Sequence, residues 1–426
     1  MTFTFTKPEP ADPTPVEEAP RVDRGGLVRL AMLVAVIAFI GVRGGFDWLV
    51  IVGAIVVMIF LHELGHFLTA KWSGMKVTQF FLGFGPRIWS FQRGETEYGI
   101  KAIPAGAYVK VIGMYGIDDV DPDDEGRTYR QKKYHQRVIM ASAGSATHFL
   151  LALGLIFGVL VGIGTQQIDT WQVGAVAPGS GAEAAGLQPG DRLVSVDGVA
   201  VTRWDNMRGA VAPRRNQTVP LVIERANQTL TLQATIGTNP ERPADGQLGV
   251  EPAFPYQRMS PLAAVPETGR VFGGVVVPSV QGLGKLFSPS GLSAFAAQVV
   301  EGKPDSGEVQ TAEQVATDNE NRLISIYGAA SLGVDLMGEG LAPTLLFIAM
   351  LNIFIGLFNL VPLLPFDGGH IAIATYERLQ ELRKRNGRRH FTDVNRLLPL
   401  TYAVVALVMA LGLASIYLDI VKPVSL

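Results

Sequence analysis

Apolar residues in this chain are clumped rather than spread. Long runs fall at Leu27 to Val42, Trp48 to Ala70, Val138 to Thr165, Leu341 to Leu364 and Leu400 to Val421, each near or above the ~17 to 20 residues that cross a bilayer core. They predict four core spans and one extra N-terminal span. The first run is the shortest and holds Arg29, so it also fits an interfacial or signal-type helix. Removal as a signal is disfavoured, because Gly41-Val42-Arg43 is a poor small-x-small cleavage site and a second apolar run follows at once. Between the runs the period changes. Val77 to Pro86, Ile88 to Phe91 and Glu97 to Ile103 are short β-rich pieces punctuated by Gly and Pro, which read as hairpins. Their apolar content suggests a sheet dipping into the membrane face, whose edge can accept an extended peptide; a solvated hairpin that props the helices is the alternative.

A second β-rich region lies between Val173 and Ile236, with strands at Val219 to Glu224 and Thr229 to Ala234. Val271 to Val280, Gly282 to Phe287 and Leu292 to Val300 hint at amphipathic surface helices, ahead of a polar loop from Glu301 to Gln314. The expected fold class is a polytopic α-helical membrane protein with a membrane-associated β-hairpin region and a β-rich extracytoplasmic domain. Its parts are a disordered Pro-rich tail over 1–25, the extra span over 26–43, core spans over 48–70, 138–165, 341–370 and 399–421, and the hairpin region over 71–137. The rest is the β-rich domain over 168–255, an amphipathic linker over 256–340 and a basic loop over 371–398.

Composition agrees, with 48% hydrophobic and only 17% charged residues, unusual for a soluble protein. A net charge of -2 suggests no nucleic acid or other polyanion as partner. Lys and Arg crowd the segments from Lys71 to Arg137 and from Arg378 to Arg396, and are sparse from Gln166 to Gly340. The positive-inside rule makes the first two cytoplasmic and the third external. The acidic turn from Asp118 to Glu125 and the basic lead-in from Arg127 to Arg137 are read as solvated. There is no cysteine, so any zinc site must be built from His and carboxylate.

One apolar run carries chemistry. His62-Glu63-Leu64-Gly65-His66 sets two imidazoles one helical turn apart on one face, able to chelate an ion, with Glu63 placed to reach a water held there. A chance match between core histidines is the bland alternative, but an ionisable residue in a span costs at least ~2.5 kcal/mol, and three within five positions need a compensating role. The fourth core run breaks at Pro362 and Pro365, just ahead of Asp367-Gly368-Gly369. By the span directions Asp367 reaches the same membrane side as His62 and His66, where it can be the third ligand and leave a position for water. A turn or N-cap aspartate is the competing explanation. Asn359 offers donors and an acceptor to a substrate backbone or a developing oxyanion. His135, His370 and His390 are expected not to be ligands.

H-E-x-x-H in a span, the hairpin Gly83-Phe84-Gly85-Pro86, and Asn359-x-x-Pro362-x-x-Pro365-x-Asp367-Gly368-Gly369 together resemble the site-2 protease family of intramembrane zinc metalloproteases, in its bacterial RseP branch. Ala184-Ala185-Gly186-Leu187-Gln188-Pro189-Gly190-Asp191 with Val196-Asp197-Gly198 is similar to the bacterial PDZ pattern, which makes 168–255 a PDZ domain that binds a peptide or C-terminus. The family resemblance implies Zn2+ held by His62, His66 and Asp367, and Glu63 as general base. It implies substrate contact by Asn359 and by the guiding hairpin, at Phe81, Leu82, Gly83, Phe84 and Gly85. It also implies a single-span membrane protein as substrate, typically an anti-sigma factor pre-cleaved by another protease, and residence in the bacterial inner membrane. Three features depart from the pattern: Phe366 stands for the usual Leu, Ala143 to His148 lacks the family's Pro and Asn so that His148 is a polar packing residue or a support of the site, and a single PDZ is found. The rival reading is a catalytically idle zinc-holding receptor or scaffold recruiting partners through the PDZ, or a transporter.

Overall fold

The computed structural model describes residues 24–114, 120–166, 171–240, 242–301, 323–384 and 389–421. The expected N-terminal tail, except Arg24 and Gly25, lies outside these residues, as does the polar loop beyond Glu301. By internal contacts the chain divides into a helical unit, 1–156 with 269–426, and a second unit, 157–268.

In the helical unit α1 (Arg24–Trp72) contains both the extra run and the first core run, interrupted only at Gly45, whose φ of 81° and ψ of -176° break the helix. Arg29 Nη1 donates to the Arg87 carbonyl at 2.6 Å, a contact that requires the first half to double back on the second. Much of this helix is β-branched, a weak helix former in water, but in lipid only internal hydrogen bonds satisfy its backbone. The helices α1, α2 (Tyr134–Gly158), α8 (Leu341–Asn359) and α10 (Leu398–Val421) are long and apolar enough to cross a membrane. Between them lie α5 (Pro261–Leu286), α6 (Pro289–Glu301), α7 (Ile326–Glu339) and α9 (Asp367–Lys384).

Three expectations need correction here. The supposed linker over 256–340 carries α5 and α6 where amphipathic surface helices were expected, but these two meet at 79° as a bent pair apolar enough for a broken span or re-entrant loop, and a third helix, α7, follows. The basic loop over 371–398 is helical as far as Lys384, because Asp367-Gly368-Gly369 opens a helix. Finally, Asp118 and Asp119 lie outside the described residues, but the charges over 121–137 are not simply solvated. Lys76 pairs with Asp124, Glu95 bridges Lys71 at 2.5 Å and Arg127 at 2.7 Å, and the Arg130 and Gln131 side chains hold the Glu125 carboxyl down to about 2. Arg137 is buried, its guanidinium 2.5 Å from the buried Glu377 on α9.

The hairpin of β1 (Val77–Arg93) and β2 (Thr96–Val111) is folded over itself. Residues 79–82 pair antiparallel with 107–110 on one side and run alongside 97–100 on the other, while 89–93 pair with 96–100. The fold in β1 occurs at Gly83 and Gly85, both at positive φ, where a Cβ on Gly83 would lie 2.7 Å from the Ile103 carbonyl.

The second unit is β-rich, with two short helices, α3 (Gly181–Ala184) and α4 (Trp204–Val211). Strands β4 (Arg192–Val196), β5 (Val199–Ala200), β6 (Thr218–Arg225) and β7 (Gln228–Thr235) form a sheet in the order β5-β4-β6-β7, and β3 (Gln172–Val176) pairs with β8 (Val250–Ala253). Trp171, Val173, Leu193, Leu221, Ile223 and Ile236 fill the core. Burial alone would push the Asp191 carboxyl up, but the Arg225 guanidinium, 2.7 Å from each of its oxygens, and the Gln188 N–H hold it below the usual carboxylate range.

Candidate active site

His62 and His66 project from one face of α1 as their spacing requires. His66 Nδ1 lies 2.8 Å from the Met140 carbonyl; a carbonyl only accepts, so this nitrogen carries the proton and Nε2 is left with its lone pair. That Nε2 faces the Nε2 of His62 at 3.2 Å, and Asp367 Oδ2 lies 3.2 Å from the first and 3.5 Å from the second. Asp367 Oδ2 is buried and meets no donor in hydrogen-bond geometry. With His62 in the tautomer that leaves Nε2 unprotonated, three lone-pair-bearing atoms are turned on one point and repel unless a cation lies between them. Tetrahedral zinc with bonds of ~2.0 to 2.1 Å spaces its ligand atoms about 3.3 Å apart, so this donor set fits the ion in both chemistry and size. Among the described residues it is the group of three His, Asp or Glu side chains able to share a metal; His135, His370 and His390 are not in it.

Close backbone contacts put the three side chains there. A Cβ on Gly65 would stand 2.5 Å from Thr147 Oγ1 and 2.9 Å from the Ala143 carbonyl, and one on Gly144 would stand 2.2 Å from His62 Cε1. These glycines let α1 and α2 approach closely enough for α2 to back the imidazoles. Gly368 and Gly369 do the same for Asp367, since a Cβ on either would strike the main chain of 360–364.

Glu63 is half-buried, with the Val109 N–H of β2 as a nearby favourable dipole. His148 lies with its ring centroid 5.1 Å from that of His62 and its Nδ1 2.8 Å from Asn352 Oδ1. The Asn352 amide donates to the Ile348 carbonyl at 2.8 Å, which turns its oxygen toward His148. His148 is thus held beside one candidate ligand through a residue that sequence reasoning missed. Asn352 had one available signal, an amide side chain within an apolar run. The Arg137–Glu377 pair joining α2 to α9 was missed as well, and nothing local announces a contact between residues 240 positions apart.

Asn359 is half-buried at the end of α8. The hairpin residues differ in exposure. Phe81 is 2% exposed, stacked on Tyr108 with Lys101 above its ring, and Phe81 and Leu82 have neighbours on both strand edges. Gly83 is buried; only Phe84 and Gly85 of the five are exposed. Ala107 to Val111 is paired on one side only, and its Val109 N–H lies toward Glu63. Alternation could locate the strands but not their double pairing.

Known proteins give the same direction. The model of peptidase family M50 matches residues 50–402. Zinc metalloprotease Rip1 of Mycolicibacterium smegmatis is 34% identical over 411 residues, covering 88% of this chain and 97% of its own. Rip1 of Mycobacterium tuberculosis is 33% identical over 408 residues, covering 88% and 96%. The putative zinc metalloprotease R01501 of Rhizobium meliloti is 30% identical over 345 residues, covering 76% and 84%. The chain belongs to peptidase family M50, the site-2 proteases, and is a multi-pass membrane zinc metalloprotease.

Proposed function

We propose that His62, His66 and Asp367 hold the zinc and that Glu63 is the general base in hydrolysis of a peptide bond within or near the membrane segment of a single-span protein. The observation that supports this most is the triangle of ligand atoms, 3.2 to 3.5 Å on each side, with Glu63 one residue from its first corner. Bound there, zinc supplies Lewis acidity and makes water acidic enough to act near neutral pH. Glu63 would take a proton from the attacking water and deliver it to the leaving amine. The substrate helix hides its carbonyls, so it is first drawn out as a strand along Ala107 to Val111, whose outward N–H groups lie on the Glu63 side. Asn359 contacts the extended backbone.

The sparse basic charge of 166–340 supports an external second unit and a catalytic centre toward the cytoplasm of a bacterial inner membrane. That unit acts as a PDZ domain, taking a peptide or C-terminus, and the substrate is an anti-sigma factor trimmed by another protease. Glu63→Gln should keep zinc and lose cleavage of a reporter span, while Asp367→Ala loses both. Full turnover by Glu63→Gln removes the base assignment, and a substrate co-purified with that variant identifies the target.

A further inference from the structure

We propose that a cationic cleft at the membrane face where α2 begins is a binding site for a phosphate-bearing anion, apart from the zinc centre. The cleft has a volume of about 330 Å3 and lies between the start of α2 and two pieces further on, Ala374 to Glu381 of α9 and Arg389 to Phe391. Six of its lining residues are Lys or Arg and two are Glu. Three of the cations are answered: Arg130 by Glu125, Arg137 by Glu377 and Arg378 by Glu381. The other three, Lys132, Lys133 and Arg389, have no carboxylate within ion-pair distance among the described residues. Lys132 reaches only the Gly126 carbonyl at 3.3 Å, and Arg389 only the main-chain and side-chain oxygens of Gln131.

Two further observations fit this. Arg137, buried against Glu377, adds a fixed positive charge to the cleft wall. Burial and the neighbouring Arg127 disfavour the charge on Lys132, a cost that an anion in the cleft would offset. Position decides the chemistry of that anion. The apolar stretches begin at Tyr134 and Val394, so the cleft stands where two candidate spans leave the bilayer. Tyr134 and Phe391, 39% and 47% exposed, line it as aromatic residues do at headgroup level. A phosphate there meets Lys and Arg as a lipid phosphodiester would, and free phosphate has the same chemistry.

The test uses the full chain purified in detergent, with phosphatidylglycerol, phosphatidylcholine or inorganic phosphate added, read by native mass spectrometry and calorimetry. The cleft variant is Lys132→Gln, Lys133→Gln and Arg389→Gln. The control, Arg383→Gln, Lys384→Gln and Arg396→Gln, removes equal charge outside the cleft. Each surface cation contributes on the order of fivefold to anion binding, so the cleft variant should lose phosphatidylglycerol by tenfold or more while the control does not. If inorganic phosphate shows that same split and the lipid does not, the site stands with a soluble ligand. Equal loss in both variants, or loss in neither, overturns the proposal. Where the triple variant does not fold, the exposed pair Lys133→Gln and Arg389→Gln replaces it under the same criteria.

Discussion

A single methyl group offers the sharpest test of how the zinc site is built. In Gly144→Ala the new Cβ would stand 2.2 Å from His62 Cε1 and 2.5 Å from both ring nitrogens. Non-bonded carbon needs about 3.5 Å, so the imidazole must retreat by about 1 Å or more. Metal–ligand distances tolerate about 0.2 Å, and the ring of His148 limits retreat on that side. One ligand of three is therefore lost. Removing a partner that merely orients a ligand costs about 10- to 100-fold in metal affinity, and this change should exceed the upper figure and abolish cleavage. Gly154→Ala on the same helix meets nothing within 4 Å; by helix propensity it gains up to about 1 kcal/mol and should keep zinc and activity. Zinc per chain after dialysis against graded chelator, with helicity checked by circular dichroism, reads both variants. A folded Gly144→Ala protein holding zinc as tightly as the parent would refute the packing argument and the ligand role of His62 with it.

Glu377→Gln leaves the Arg137 charge buried without its partner, a change worth about 3 to 5 kcal/mol. Thermal unfolding should show a large loss that the apolar double variant Arg137→Met, Glu377→Leu largely restores; a mild single variant would show that the pair is not desolvated. In the second unit, Asp191 titrates below its ordinary value of 3.8 when folded. It therefore contributes stability above that value and loses it as pH falls through the lower folded one. Hydrogen exchange over 172–235 should accelerate in acid below about pH 4, and Asp191→Asn should be less protected at neutral pH with a flatter acid dependence; an unchanged profile would contradict the Arg225 pairing as the cause.

The residues of the candidate metal site were legible because each signal was local or compositional. Helical spacing put His62 and His66 on one face, and the broken span before Asp367 marked the place where freed backbone gathers. What failed had no local pattern. Phe81 reads as one strand residue of a simple hairpin, yet it is buried inside a hairpin folded on itself, and double pairing leaves no trace in alternation. Helix α9 was hidden because Gly368-Gly369 reads as a turn unless one knows that 360–364 presses against it. Arg137 and Glu377 each look like surface charges until the fold brings them together.

Asp367 shows why its helical setting matters. As the first residue of the 18-residue α9, its carboxylate sits at the positive end of the helix dipole, which favours the ionised form that a metal ligand must have. A rigid helix also carries it more precisely than a loop would, provided the helix cannot pivot. Two features bear on that. At the near end, Gly368 and Gly369 admit the main chain of 360–364 against the first turn. Ten residues further on, Glu377 locks onto Arg137 of α2, whose guanidinium also covers the Tyr129 ring at 4.9 Å. Since α2 also supplies the Met140 carbonyl that fixes the tautomer of His66, one helix orients a ligand on α1 and restrains the helix that carries the third. Loosening the Arg137–Glu377 pair should therefore weaken zinc binding as well as the fold, although neither residue belongs to the ligand set.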